Sequence, residues 1–231
     1  MGLVGMPLRL PDRRITVKQF NLKWSFGNTK LAKLDTVSFN TPAFRSADGF
    51  KVCPKAGSCA TLCYARQGRY ILPNVVKARE FNLAIVRGDL KEFTRMACAD
   101  LNLIKNATVR VHDSGDFFSQ GYMNAWFTIA STFPEKKFYA YTKSLHLDWS
   151  KCPDNFQIVQ SVGGLMDDVI NPRESHSRIF STHYQRKKAG YVDGNINDKP
   201  AIDGVIRIGL VYHGVKNLKE GQKRWLDTNE V

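Results

Sequence analysis

The sequence predicts an α/β protein with one main domain, folded as a partial (β/α) barrel. Three observations lead there. Apolar runs of strand length alternate with stretches in which apolar residues recur every three or four positions. Most strand-like runs stop abruptly in small, polar or ionisable residues, as strands of a parallel sheet do where functional loops begin. At 231 residues the chain is also short of the about 250 typical of a closed eight-unit barrel.

In chain order, residues 1–34 are basic and irregular, with a short strand expected around Ile15–Phe20, and read as an extension packed on a domain spanning 35–231. Thr36–Phe39 alternates β-branched and aromatic residues and ends at Asn40-Thr41-Pro42, so it predicts a strand. A cysteine-bearing loop fills about residues 50–70. Pro73 opens a helix whose stripe is Val75, Val76, Ala78, Phe81, Ala84 and Ile85, closing at Gly88. Asp89 is placed to cap the next helix, with Leu90, Phe93, Ala97, Leu101 and Ile104 on one face. Val109–Val111 then predicts a buried strand ending in His112-Asp113-Ser114-Gly115-Asp116. Ser119 caps a third helix, which Pro134 stops. Further strands are expected at Phe138–Tyr141, Phe156–Val159, Arg178–Phe180 and Ile206–Val211.

The charge is lopsided, with 34 Lys and Arg against 21 Asp and Glu, a net +13. Such a balance favours an anionic partner, RNA or DNA first and an anionic membrane second, through phosphate contacts that do not read sequence. Arg9, Arg13, Arg14, Lys18, Lys23, Lys30 and Lys33 face one acid, Asp12, near the start. Arg186-Lys187-Lys188 forms a run, and Lys216, Lys219, Lys223 and Arg224 enrich the end. No apolar run is long enough to span a bilayer and the start lacks a signal-peptide core, which predicts a cytosolic protein. Five cysteines in a reducing compartment make metal or redox chemistry a better reading than a disulfide framework.

Cys53, Cys59 and Cys63 lie within one loop beside Pro54 and Gly57. Thiolates are soft ligands for iron–sulfur clusters and zinc. A helical turn would put Cys59 and Cys63 on one face, and Lys51, Lys55, Arg66 and Arg69 would stabilise thiolates or an anionic cluster. Three unrelated core cysteines would rarely crowd into a polar loop. Structural zinc prefers four ligands in closer pairs than this Cys-x5-Cys-x3-Cys spacing provides. An iron–sulfur cluster, 4Fe–4S above all, is therefore expected, with Cys152 as the candidate fourth ligand, Cys98 reading as a core residue, or one iron left open.

Several stretches resemble the phage-encoded "gene product eighty-eight" family: NTPAF, CPKAGSCATLCYARQGRYILPNV, VRVHDSGDFFSQGYMNAWFTIA, KFYAYTKSL, QSVGG, HSRIF, GYVDG and IGLVYHG, covering most of residues 36–216. The resemblance implies a bacteriophage protein working in host cytoplasm and carries no reaction with it. The layout is also distantly similar to radical S-adenosylmethionine enzymes, in which three cysteines after the first strand hold a 4Fe–4S cluster. That likeness implies S-adenosylmethionine (SAM) as a further cofactor, with Ser114-Gly115-Asp116 standing where those enzymes carry a Gly-Gly-Glu contact to its amino group. The cysteine spacing here departs from theirs, and Tyr64 follows the last cysteine where their aromatic precedes it.

The remaining candidates are strand-end groups. His112, Asp113, Ser114 and Asp116 could touch a ligand, with Gly115 permitting close approach, although Asp113 could equally cap the following helix. Lys143 suits a salt bridge or an anion contact. Gly163-Gly164 could offer free backbone N–H groups to an anion, although a plain turn is the commoner use. His213 could ligate metal, act as acid or base, or be a satisfied histidine. Together these residues predict an iron–sulfur protein, with a redox or radical-SAM-like enzyme as the finer reading; the alternative is a nucleic-acid-binding protein with a mainly structural metal.

Overall fold

A computed structural model describes residues 20–27, 31, 33–212 and 225–226. His213, the Ile15–Phe20 strand apart from Phe20, and most of the terminal basic residues lie outside them.

Eight strands form one open sheet in the order β1-β2-β3-β4-β5-β6-β8-β7. They are β1 (Trp24–Ser25), β2 (Thr36–Phe39), β3 (Thr108–Val111), β4 (Lys137–Thr142), β5 (Phe156–Ser161), β6 (His176–Phe180), β7 (Val192–Asp193) and β8 (Arg207–Val211). Among the described strands only β1 runs antiparallel to its neighbour. The expected α/β class holds, and every strand expected over described residues is present. The sheet edges, β1 and β7, do not pair, so the described strands form no closed barrel. The two edge strands have no counterpart in the sequence reading because two residues are too few to show a period.

The three long helices follow the expected starts and caps, and three short α-helices among the described residues join them. They are α1 (Cys59–Leu62), α2 (Pro73–Gly88), α3 (Leu90–Leu103), α4 (Gln120–Thr132), α5 (His183–Lys188) and α6 (Lys199–Ile202). Pro73 sits in the first turn of α2, where its missing N–H costs nothing. Asp89 accepts from Lys91 and Glu92 N–H at the start of α3, and Ser119 from Tyr122 N–H at the start of α4.

Period-2 alternation divides the sheet into two faces. Val109, Val111, Phe138 and Ala140 point into the main core with α3 and α4, where Trp126 packs edge-on against Phe39 at 5.3 Å and Phe93 at 5.4 Å. Arg110, Tyr139 and Tyr141, the alternate residues, face the other way. That second face is where polar chemistry collects.

The described part of the N-terminal segment is tied into this core. The buried Asp100 carboxylate on α3 accepts from Asn21 N, Asn21 Nδ2, Leu22 N and Trp24 Nε1 at 2.8–2.9 Å. Asp100→Ala strands the buried Leu22 N–H and frees three part-buried donors, and is expected to cost about 3 kcal/mol, read as a lowered urea midpoint with an unchanged slope.

Candidate functional site

The cysteine loop leaves β2 and returns across the carboxyl ends of the strands, held at three places. Phe44, with φ of 64°, accepts from Val52 N and Cys53 N through its carbonyl and donates its own N–H to Cys53 Sγ at 3.3 Å. Beyond β5, the carbonyl of Gly163 accepts from Gly57 N and Cys59 N, both at 3.1 Å. A Cβ on Gly57 would stand 2.7 Å from the Gly164 oxygen, so only glycine lets the two backbones meet. Beyond β3, the Tyr70 hydroxyl donates to Asp113 Oδ2 at 2.7 Å and the Tyr64 hydroxyl to the Asp113 carbonyl.

These anchors place Cys53, Cys59 and Cys63 on one cavity of about 710 Å³, together with His112, Asp113, Ser114, Gly115, Asp116 and Lys143. The volume lies within the usual range for ligand pockets, about 300–1,000 Å³. Cys59 opens α1 and Cys63 ends it, so the one-turn relation expected from their spacing is present. Burial pushes all three thiols up, and Lys143 pulls back on Cys59 and Cys63. Held protonated, they are poor nucleophiles unless a metal displaces the protons. No group of three or more Cys, His, Asp or Glu side chains among the described residues is gathered tightly enough to hold a single metal ion. The sulfurs share a cavity rather than a point.

Cys152 is not brought to them. It precedes β5, at the amino-terminal end of the sheet, packs on the main core and donates its S–H to the Phe156 carbonyl at 3.2 Å. Cys98 packs on the same core from α3.

The strand-end residues of the cavity are for the most part already engaged with one another. Asp113 does not cap α4; it closes the Tyr64 and Tyr70 clamp and lies 3.3 Å from Arg110 Nη1. Its N–H and that of Ser114 donate to Asn40 Oδ1, while Ser114 Oγ donates to the Thr41 carbonyl at 2.6 Å. Gly115 has φ of 96°, and a Cβ there would overlap Thr41 Oγ1. Asp116 Oδ1 accepts from Thr142 Oγ1 and Phe117 N, and its Oδ2 accepts from Lys143 N. Burial pushes this carboxyl up despite those bonds. Lys143 Nζ donates to Ser161 Oγ at 2.6 Å. The N–H groups of Gly163 and Gly164 are not available to an outside anion, because Asp167 accepts both at 2.8 Å. The glycine pair instead seats the cysteine loop.

His112 is a buried, neutral group. Its Nε2 lies 2.8 Å from the Tyr122 hydroxyl, its Nδ1 has no hydrogen-bond partner among the described residues, and its φ is 69°. Burial, reinforced by Arg110, pulls its pKa down to about 3. The folded state therefore refuses a proton that the unfolded chain accepts below about 6.5. Stability from this group is complete above that value and is lost as pH falls from about 6.5 towards 3. His112→Asn, which tolerates positive φ, should flatten that part of the stability–pH curve measured by urea unfolding.

Sequence reading missed the opposite wall. Arg110 Nη1 pairs with Asp198 at 2.7 Å, Tyr139 donates to the same carboxylate at 2.8 Å, and the buried Tyr141 hydroxyl and Arg110 Nε have no hydrogen-bond partner among the described residues. The signal available was a cation between Val109 and Val111, whose alternation aims it away from the core.

The family model described as Gene product 88 matches residues 17–223. The Gene 88 protein of Mycobacterium phage D29 is 28% identical over 149 residues, 54% of this chain and 62% of that protein. Its counterpart in Mycobacterium phage L5 is 28% identical over 206 residues, 78% of this chain and 85% of that protein. The match thus spans less than two thirds of the first relative and most of the second. No solved structure matches. Among the described residues no helix is long and apolar enough to cross a membrane.

Proposed function

The chain belongs to the Gene product 88 family, and on that footing we propose that it is a phage iron–sulfur protein whose 4Fe–4S cluster is held by Cys53, Cys59 and Cys63, with one iron free of protein ligands. One observation carries the reading: three thiols from a single loop face one cavity at the carboxyl ends of parallel strands. The donor set fits. Soft sulfurs suit iron, a backbone N–H already donates to Cys53 Sγ, and Lys143 supplies positive charge near the other two. Sulfurs spread round a cavity suit a polynuclear cluster better than one zinc ion, whose bonds of about 2.3 Å would draw them together.

Bound there, such a cluster would supply one-electron transfer and a Lewis-acidic iron. The chain does the rest. Phe44 N–H steadies one sulfur, the Tyr64 and Tyr70 clamp fixes the loop, and Ala43, Phe44 and Leu62 line the cavity with apolar surface that limits water. Cys152 and Cys98 take no part.

Six parallel strands, β2 to β6 and then β8, follow one another across the sheet in chain order, which supports a partial (β/α) barrel with radical-SAM-like layout. SAM itself has less support. Each Asp116 oxygen already accepts a hydrogen bond, and the Gly163 and Gly164 N–H groups are taken.

Anaerobically purified protein should be brown, contain iron and acid-labile sulfide, and bleach with dithionite. A colourless folded protein lacking both would sink the assignment. Adding SAM to the reduced protein should shift its electron-paramagnetic-resonance signal if SAM binds the open iron; an unchanged spectrum leaves a redox protein.

A further inference from the structure

We propose that the rim of the cysteine cavity docks single-stranded nucleic acid, its phosphates on the rim cations and one base stacked on Tyr64. The inference goes beyond the cluster assignment and does not depend on it. Residues 49–79, which build the cysteine side of the cavity, contain Lys51, Lys55, Arg66, Arg69, Lys77 and Arg79 but no Asp or Glu, although acids make up 21 of the chain's 231 residues. Among the described residues none of these six cations pairs with a carboxylate, whereas Arg87, Arg95, Arg110, Arg186 and Lys199 all do. A cluster carrying one or two negative charges does not call for so many cations. Arg79 is buried against the Tyr70 ring; the other five are spread along a loop and the start of α2 instead of converging on one point, which suits a chain of phosphates better than one anion.

The aromatic half of such a site is present too. The Tyr64 hydroxyl is tied to the Asp113 carbonyl, and its ring stands edge-on to Tyr70 at 5.4 Å, yet the residue stays 41% exposed at the cavity wall. A ring already fixed loses little freedom when a base stacks on it. Beside it Ile71 and Leu72 are 61% and 47% exposed, which extends the apolar surface available to bases. Inside the cavity, the unpartnered Arg110 Nε and Tyr141 hydroxyl could donate to the carbonyl edge of an inserted base. Stacking on one exposed ring needs an unpaired base, which favours a single strand over a duplex.

Fluorescence anisotropy with labelled oligo-dT and oligo-U of about 16 nucleotides tests this on the full chain, with and without bound iron. Binding should be present at low salt, with log K falling linearly against log salt. Joint replacement Arg69→Glu and Lys77→Glu should weaken it more than about tenfold and flatten the salt slope by about 1.4, two contacts at about 0.7 each. The equivalent pair Lys187→Glu and Lys188→Glu on exposed α5 should change affinity less than about threefold. Tyr64→Leu should lose about tenfold, while Tyr64→Phe, which keeps the ring but not the hydroxyl tie to Asp113, should lose less than about threefold. The inference is overturned by absence of binding at low salt, or by equal loss from both charge reversals, which would make the attraction diffuse. It is likewise overturned if the protein sediments with phosphatidylserine vesicles and ignores both oligonucleotides, which would make the rim a lipid-facing surface.

Discussion

Serine in place of Cys53, Cys59 and Cys63 together is expected to bring iron from about four atoms per chain to none, with loss of visible absorption. The hydroxyl is a harder and less acidic donor than the thiol, so it replaces a thiolate poorly at iron. Cys152→Ser and Cys98→Ser should retain the full iron content, because those side chains pack on the main core and not on the cavity. Equal loss from Cys152→Ser would restore it as a ligand and require the loop before β5 to move a long way. Iron uptake should also weaken as pH falls, since burial holds the three thiols protonated and the metal must displace those protons.

Arg110→Met should be the most damaging single change on the opposite wall. Its guanidinium lies between Asp198 and Asp113, at 2.7 and 3.3 Å, with both partners' side chains nearly enclosed. Methionine fills a similar volume but withdraws the guanidinium charge from two nearly enclosed carboxylates, an expected loss of about 3–5 kcal/mol in urea unfolding. Arg110→Lys should recover little, since an ammonium group cannot serve both carboxylates with the same fixed fork of donors. Damage should extend to the cysteine loop, because Asp113 also receives Tyr70. A wild-type-like midpoint for Arg110→Met would show that the wall carries no strained charge balance.

Much of this architecture was legible in the residues. Apolar periodicity, Pro73, Asp89 and Ser119 located the three long helices within a residue or two, since caps and periods are local properties of the chain. Polar strand ends pointed to one functional edge, and His112 to Asp116, Lys143 and the three cysteines do line one cavity. Roles were less legible than positions. Asp113 could serve as cap or ligand on paper and turned out to close a tyrosine clamp. Gly163-Gly164 suggested an anion site, yet Asp167, four and three residues on, already occupies those N–H groups.

What the order of residues settles here is which segments are strands and helices, and that three sulfurs must travel together, because both follow from spacing along the backbone. Which sulfurs share a cavity, and which strand-end groups are already spent on one another, depends on pairings between residues far apart in the chain. Arg110 with Asp198 and Gly57 with Gly163 are such pairings. They exist only once the parallel strands bring their carboxyl ends to one edge, since no local rule links a residue to a partner a whole strand-and-helix unit away.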